Sequence, residues 1–140
     1  MGMVLTYTTA GLVTFQNVNS RVNRQLPSSG NIAAINVGIY SDFACSQKLE
    51  SLDWGDIAPG ELVNKTIYLK NTGNTMITLS MTANNWNPPD ANGPITLTWN
   101  QEGTELNPSE VMNATLTLTV KEDISGVATF SVEILIIGSS

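Results

Sequence analysis

Two asparagines in this 140-residue chain stand at the spacing required for a covalent modification. Asn64 and Asn113 are each followed by one non-proline residue and then by threonine, which is the acceptor pattern for N-glycosylation. Each asparagine is in phase with its threonine in a segment predicted to be a strand, so both side chains would point away from the core. Such motifs also arise by chance in a chain rich in Asn and Thr, and the alternative is a pair of ordinary outward-facing polar residues.

Catalytic chemistry is limited because the chain has no histidine and a single cysteine, Cys45. Ser-His-Asp and Cys-His arrangements are excluded, and so are histidine ligands for zinc, copper or haem. A carboxylate pair for glycoside hydrolysis is conceivable on a β-sandwich, but no sequence feature indicates a cleft. We therefore expect no enzyme activity and no cofactor, and we expect Cys45 to be an unpaired thiol.

Acidic side chains form two loose clusters that could hold calcium with loop carbonyls. One cluster contains Asp53, Asp56 and Glu61, and the other contains Glu122 and Asp123. Neither cluster has the spacing of an EF-hand loop. The sequence therefore predicts solvated loop carboxylates and no metal site.

Three tryptophans raise the alternative of a sugar-stacking surface. Trp99 alternates in phase with apolar residues of its segment and is predicted to lie in the core, and Trp54 is predicted to be at least partly buried. Only Trp86, in the segment 84–94 that is rich in Asn and Pro, is predicted to be exposed. One exposed tryptophan is a weak indication of glycan binding.

Charge and hydropathy restrict the partners. Twelve acidic and six basic residues give a net charge of −6, which disfavours nucleic acid and anionic membranes as partners. The chain contains no run of eighteen apolar residues, so we expect no membrane span. Its first residues lack the basic start of a signal peptide, and an exported protein would be one whose leader has been removed.

The clearest local structure lies at 59–74, where polar and apolar residues alternate after a Pro-Gly turn. The alternation stops at Asn71-Thr-Gly-Asn74 and resumes at Ile77. Asn and Gly tolerate the positive φ angles of tight turns, so the sequence predicts a β-hairpin here.

Further short alternating segments predict an all-β fold. Ala33, Ile35, Val37 and Ile39 are predicted to share an inward face. No helical period longer than one turn is present, and turns recur between the segments. One domain is expected at this length, an antiparallel immunoglobulin-like β-sandwich with a jelly-roll-like variant as the alternative. The predicted strands outside the hairpin are 32–40, 52–57, 95–99, 114–120 and 128–137. Within 114–120, the apolar residues Ala114, Leu116, Leu118 and Val120 alternate with threonines and give the strand an inward face.

The N-terminal segment is predicted to be an extended β-arm. Residues 3–18 are β-prone, whereas 19–31 is polar and longer than a usual connection between strands, which indicates a loop or hinge. We therefore divide the chain into an arm and hinge, 1–30, and a β-sandwich domain, 31–140. The arm residues expected to insert into a neighbour are Val4, Leu5, Tyr7, Leu12, Val13 and Phe15.

The last predicted strand is apolar on both faces. Leu135 and Ile137 point to the side that should be solvated, and a strand that is apolar on both faces is normally covered on both. We expect either a covering loop or a bend near the strand end, or else another strand or another subunit at these residues. The residues predicted to face the core are Ala128, Phe130, Val132, Ile134 and Ile136.

Four segments resemble a known family pattern: 51–60, the Lys-Asn-Thr-Gly-Asn turn at 70–74, Asn-Trp-Asn-Pro at 85–88 and the closing FSVEILIIGS. They are similar to the secreted β-sandwich proteins of the TasA and camelysin biofilm-fibre type and to archaeal surface proteins with a similar domain. The resemblance extends from about residue 31 to 138. It implies a secreted, non-enzymatic, often filament-forming protein in which an N-terminal strand of one subunit completes the sheet of the next.

These observations lead to two hypotheses about function. The first is a structural subunit of an extracellular filament or pilus at the cell surface, a head-to-tail homopolymer with the N-terminal arm as donor and Leu135 and Ile137 on the acceptor strand. The second is a monomeric immunoglobulin-like adhesion domain, or one that binds surface glycans.

Overall fold

The computed structural model describes residues 26–140, which form two packed β-sheets. A five-stranded sheet has the order β3-β1-β9-β5-β7, and a four-stranded sheet has the order β2-β4-β8-β6. All described pairs of neighbouring strands are antiparallel except β1 and β9, which are parallel. The predicted all-β sandwich is confirmed. The strands are β1 Leu26–Ile35, β2 Gly38–Tyr40, β3 Ser51–Ile57, β4 Leu62–Lys70, β5 Ile77–Asn87, β6 Ile95–Trp99, β7 Glu105–Leu106, β8 Val111–Val120 and β9 Phe130–Ser139.

The core lies between the sheets and depends most on β8 and β9, which occupy inner positions in their sheets. Their alternate residues are buried, as a period of two requires of a strand with one face inward. Each fully buried Leu or Ile contributes about 1.5–3 kcal/mol relative to an exposed one. The predicted inward faces of both strands are confirmed, except that Ala128 is exposed because β9 begins only at Phe130. The buried residues of these strands are Ala114, Leu116, Leu118, Val120, Phe130, Val132, Ile134 and Ile136.

The predicted hairpin between β4 and β5 is wrong, although both strands exist. β4 pairs with β2 and β8 in one sheet, whereas β5 pairs with β7 and β9 in the other. No residue from Asn71 to Asn74 has the positive φ that a two-residue hairpin turn requires. The chain between the two strands therefore crosses from one sheet to the other.

Asn71 holds this crossing in place. Its side chain is buried, and its Nδ2 donates to the carbonyl oxygens of Thr75 at 2.7 Å and Leu106 at 2.9 Å. Its Oδ1 accepts from the backbone N–H of Gly73 at 3.0 Å. These bonds attach the end of β4 to β7, a strand of the opposite sheet, instead of folding β5 back onto β4.

The start of the chain's described part also differs from the prediction. β1 begins at Leu26, so the predicted loop over 19–31 is wrong from Leu26 onward. Gly30 permits this strand to lie against β9, because a Cβ at that position would come within 2.3 Å of the Val132 carbonyl oxygen. The predicted arm residues Val4, Leu5, Tyr7, Leu12, Val13 and Phe15 lie outside the described residues.

The prediction that Ala33 and Ile35 face the core is wrong, whereas the same prediction for Val37 and Ile39 is confirmed. Ala33 and Ile35 are exposed on β1. At Asn36 the backbone takes a φ of 63°, and β2 then joins the other sheet with Ile39 buried. Odd-numbered side chains therefore point away from the core on β1 and toward the core on β2.

Candidate functional site

The outer face of the five-stranded sheet carries an exposed apolar surface, which we call the outer patch: Ala33, Ile35, Leu135 and Ile137. The parallel register of β1 and β9 places Ala33 opposite Leu135 and Ile35 opposite Ile137. Ile35 is 47% exposed, and Leu135 and Ile137 are half-buried. Thr82 of β5 lies beside Leu135 on the other side. The sequence indicated Leu135 and Ile137 but missed the two β1 residues, because nothing local reveals which strand neighbours β9.

The position of β9 restricts how Leu135 and Ile137 can contact another subunit. β1 pairs with β9 along one edge over residues 130–137, and β5 pairs with it along the other. A donated strand therefore cannot add to the backbone of β9. The contact of Leu135 and Ile137 with another subunit stays a prediction, and it would be made by side chains at the face of the sheet.

Both asparagines of the sequons are exposed on the outer face of the four-stranded sheet. The Asn64 Oδ1 accepts a hydrogen bond from the Thr117 hydroxyl at 2.7 Å, a bond that leaves Nδ2, the atom that carries an N-linked glycan, unused. Asn113 lies on the neighbouring strand β8, where it is in register with Tyr68. The predicted outward orientation is confirmed, and glycosylation itself stays a prediction.

A polar hollow of about 740 Å³ lies on the outer face of the five-stranded sheet, next to the outer patch. The strand pairing is irregular on two sides of it, at residues 28/29 and 84–87. The Asn85 amide donates to the Glu133 carboxylate at 2.6 Å. Short amide, hydroxyl and carboxylate groups can hydrogen-bond a ligand rich in hydroxyl groups, but no aromatic ring lines the hollow for stacking. The groups include Asn31, Asp53, Asn85, Asn87, Ser131 and Glu133.

The three tryptophans do not form an exposed platform. Trp54 is buried. Trp86, predicted to be exposed, is half-buried and stacks on Phe130 with ring centroids 6.5 Å apart. Trp99 is half-buried, and its Nε1 donates to the Glu102 carboxylate at 2.8 Å. All three are therefore packed against the core, and none supports the stacking interpretation.

Glu102 connects the two sheets near their β6–β7 edge. Besides Trp99 of β6, its carboxylate accepts bonds from the Ser80 hydroxyl at 2.9 Å and from the Met81 N–H at 3.1 Å, both on β5. Hydrogen bonds from the Trp99 side chain, the Met81 backbone and the Ser80 side chain lower the pKa of Glu102 below its usual value. No sequence motif indicated this role.

The loop around Cys45 is ordered by Asp42, which sequence reasoning also missed. The Asp42 carboxylate accepts bonds from the Ser46 hydroxyl and from the backbone N–H groups of Ser46 and Gln47. The Ser46 hydroxyl and then the Gln47 N–H lower the pKa of Asp42. Cys45 is half-buried and its thiol lies 3.6 Å from the Phe43 carbonyl oxygen. This arrangement has the features of a turn, not of a reactive site.

The predicted acidic clusters do not come together as metal sites in the part of the chain that the structure describes. Among residues 26–140, no group of three or more acidic or cysteine side chains has a geometry suited to a metal ion. Within the same residues, no helix has the length and apolar character needed to cross a bilayer.

Comparison of the sequence with protein-family models and with curated proteins gives no match. The resemblance to the biofilm-fibre proteins therefore rests on the short motifs alone. One of these, the turn at 70–74, has a structural explanation in the bonds of Asn71.

Proposed function

We propose that this chain is the structural subunit of an extracellular cell-surface filament in which an N-terminal strand of one subunit completes a sheet of the next. The outer patch is the observation that carries the association of subunits in this proposal. It places Ile35, Leu135 and Ile137 side by side on the sheet surface, and the described residues leave them accessible. An apolar area on an otherwise polar sheet is typical of a surface that contacts another molecule.

The N-terminal segment supplies the second element of the proposal. Residues 1–20 contain no charged side chain, and 3–18 are rich in β-prone residues. A strand of this kind adds to a sheet edge through backbone hydrogen bonds, while its alternate side chains fill a groove. A head-to-tail contact between identical subunits that does not close generates a filament. The extracellular location and the absence of enzyme activity belong to the same proposal.

Removing the arm tests this function. We expect the full chain to form filaments that are visible by electron microscopy and that sediment, and we expect a chain lacking residues 1–20 to remain monomeric. Leu12→Lys with Val13→Lys in the full chain should have the same effect, because a charged strand enters an apolar groove poorly. Circular dichroism monitors the fold of each variant. Filaments of normal length from the shortened chain would exclude strand donation.

The polar hollow favours a second candidate function, a monomeric adhesion domain that binds glycans. Its volume of about 740 Å³ lies in the range of small-ligand sites. Saturation-transfer NMR with a panel of oligosaccharides tests this candidate. A monomer whose glycan signal disappears in Asn31→Ala and Glu133→Ala, but not in the distant Thr98→Ala, would favour it over the filament.

A further inference from the structure

β4 is the second strand of its sheet, yet among residues 26–140 part of its length has a neighbouring strand on one side alone. β8 pairs with all of β4, from Leu62 to Lys70. β2 pairs on the opposite side with Tyr68–Lys70 only and then leaves the sheet. Within residues 26–140, the stretch 62–67 of β4 therefore has a strand on one side alone. We call this stretch the open edge.

Hydrogen bonds at both ends of β4 show which residues face β8. At the start, Gly60 N–H donates to the Val120 carbonyl at 2.9 Å and Val120 N–H donates to the Glu61 carbonyl at 3.0 Å. At the end, Asn71 N–H donates to the Glu110 carbonyl at 3.2 Å. Backbone groups alternate in direction along a strand. The odd-numbered residues between these ends therefore direct their N–H and C=O groups to β8.

The even-numbered residues direct their backbone groups the other way. Tyr68 and Lys70 are in register with β2, so they meet a partner strand. Leu62, Asn64 and Thr66 have the same direction but no backbone partner among the described residues. Their N–H and C=O groups form a template for one additional antiparallel or parallel strand.

The side chains at the open edge restrict which strand can add. Lys65 is half-buried with its side chain on the inner face, and an inward charge on an edge discourages indiscriminate pairing. An added strand formed by residues 1–20 would place no second cation beside Lys65, because these residues have no charged side chain. Leu62, on the outer face, is 57% exposed and would be covered by an added strand.

The described part of the chain begins at the end of the sandwich where the open edge also begins. Leu26 pairs with Ile57, and only residues 58–61 separate Ile57 from Leu62. The 25 residues before Leu26 span up to about 80 Å when extended, which is enough to reach a neighbouring domain.

We infer that the open edge of β4 binds the N-terminal segment of a second copy of this chain as an added strand. The inference rests on the proposed function and deepens it, because it names the place where the donated strand is held. The strand that accepts the donated segment is then β4, whose open edge has available backbone groups. It is not β9, because both edges of β9 are paired.

Cysteine cross-linking between two full-length variants tests this placement. In a Cys45→Ser background, one variant carries Asn64→Cys and the other carries a cysteine at each position from 4 to 15 in turn. After mixing and mild oxidation, we expect disulfide-linked pairs of chains that are strong at one arm position, weak two residues to either side of it and absent elsewhere, because a disulfide needs Cα atoms within about 7 Å and side chains alternate across a strand. Adding Thr66→Pro should reduce these pairs at least tenfold, since proline removes an edge N–H. Thr66→Val keeps that N–H and serves as the matched control.

Several outcomes of this experiment would contradict the inference. Cross-links at all arm positions alike, none at any position, or links only within one chain when it carries both cysteines would overturn the inference. Equal cross-linking in folded Thr66→Pro and Thr66→Val would also overturn it, and if the proline variant does not fold, the position scan decides alone. Electron microscopy separates the two proposals: filaments unaffected by Thr66→Pro contradict the open edge only, whereas position-specific cross-links without filaments contradict the filament only.

Discussion

At the scale of single residues, Asn71 explains why a turn that resembles a hairpin connects two different sheets. A buried amide stabilises a structure only when its donors and acceptors are all satisfied. Here the two Nδ2 donors bond carbonyls of Thr75 and Leu106, and Oδ1 accepts from Gly73. The side chain thus takes the place of the strand pairing that a hairpin would have supplied.

Replacing Asn71 tests this role. We expect Asn71→Ala to lower the free energy of unfolding by about 2–4 kcal/mol, because the buried Leu106 carbonyl, the partly buried Thr75 carbonyl and the Gly73 N–H lose their partner. Thr72→Ala, at the exposed neighbouring position, should change it by less than about 0.5 kcal/mol. Urea denaturation followed by tryptophan fluorescence measures both. Equal effects of the two substitutions would contradict the assigned role.

At the scale of elements, the sheets are joined at one edge by Glu102 and at the sandwich centre by packing. β5 has a short partner, β7, which covers only its first residues. Beyond Leu79, the carboxylate of Glu102 takes the place of a strand for the Met81 N–H. The same carboxylate holds Trp99 of β6, so one side chain connects an element of each sheet.

This connection predicts a pH dependence. Because folding lowers the pKa of Glu102, its contribution to stability is complete above the ordinary value of 4.5 and is lost as the pH falls through the lower pKa of the folded state. We expect Glu102→Gln to destabilise the protein at pH 7 by about 1 kcal/mol or less, since the site is exposed to water. Below pH 4.5, the difference from the wild type should shrink.

Glu105→Gln, on the exposed side of β7, is the control for the loss of one negative charge. Thermal unfolding at pH 7 and at pH 3 gives the comparison. A difference between Glu102→Gln and the wild type that is the same at both pH values would show that the ionised carboxylate does not act as described.

At the scale of the whole molecule, one domain presents three surfaces with different properties. The outer patch is apolar, the polar hollow beside it is rich in amides and carboxylates, and the open edge of β4 offers backbone groups. The first and third can join copies of the chain to each other at separate places. A subunit with two separate contacts can propagate in a line, which is the property that a filament requires.

Polar substitutions in the outer patch test its part in assembly. We expect Leu135→Asn with Ile137→Asn to reduce the sedimenting fraction of the full chain several-fold, because amides replace the apolar contact area. The loss of unfolding free energy should be about 1 kcal/mol, since both side chains are only half-buried. Ser131→Asn, on the same face of β9 but in the polar hollow, is the control. Unchanged sedimentation of the double variant would remove the outer patch from the assembly.

Much of this structure follows from local pattern. Alternation alone identified β8 and β9, their buried faces and the outward orientation of Asn64 and Asn113, because a period of two depends only on neighbouring residues and on which face is buried. The absence of histidine restricted catalytic chemistry in the same direct way.

Only the tertiary structure decided which strands lie side by side. The separation of β4 from β5, the parallel pairing of β1 with β9, the outer patch and the open edge all depend on contacts between distant residues. Asn71 binding Leu106 and Gly30 lying against Val132 are examples, and neither is visible in a local pattern. The packing of the whole sandwich therefore determines which strands pair. The alternation of polar and apolar residues determines where strands form and which side of each strand is buried.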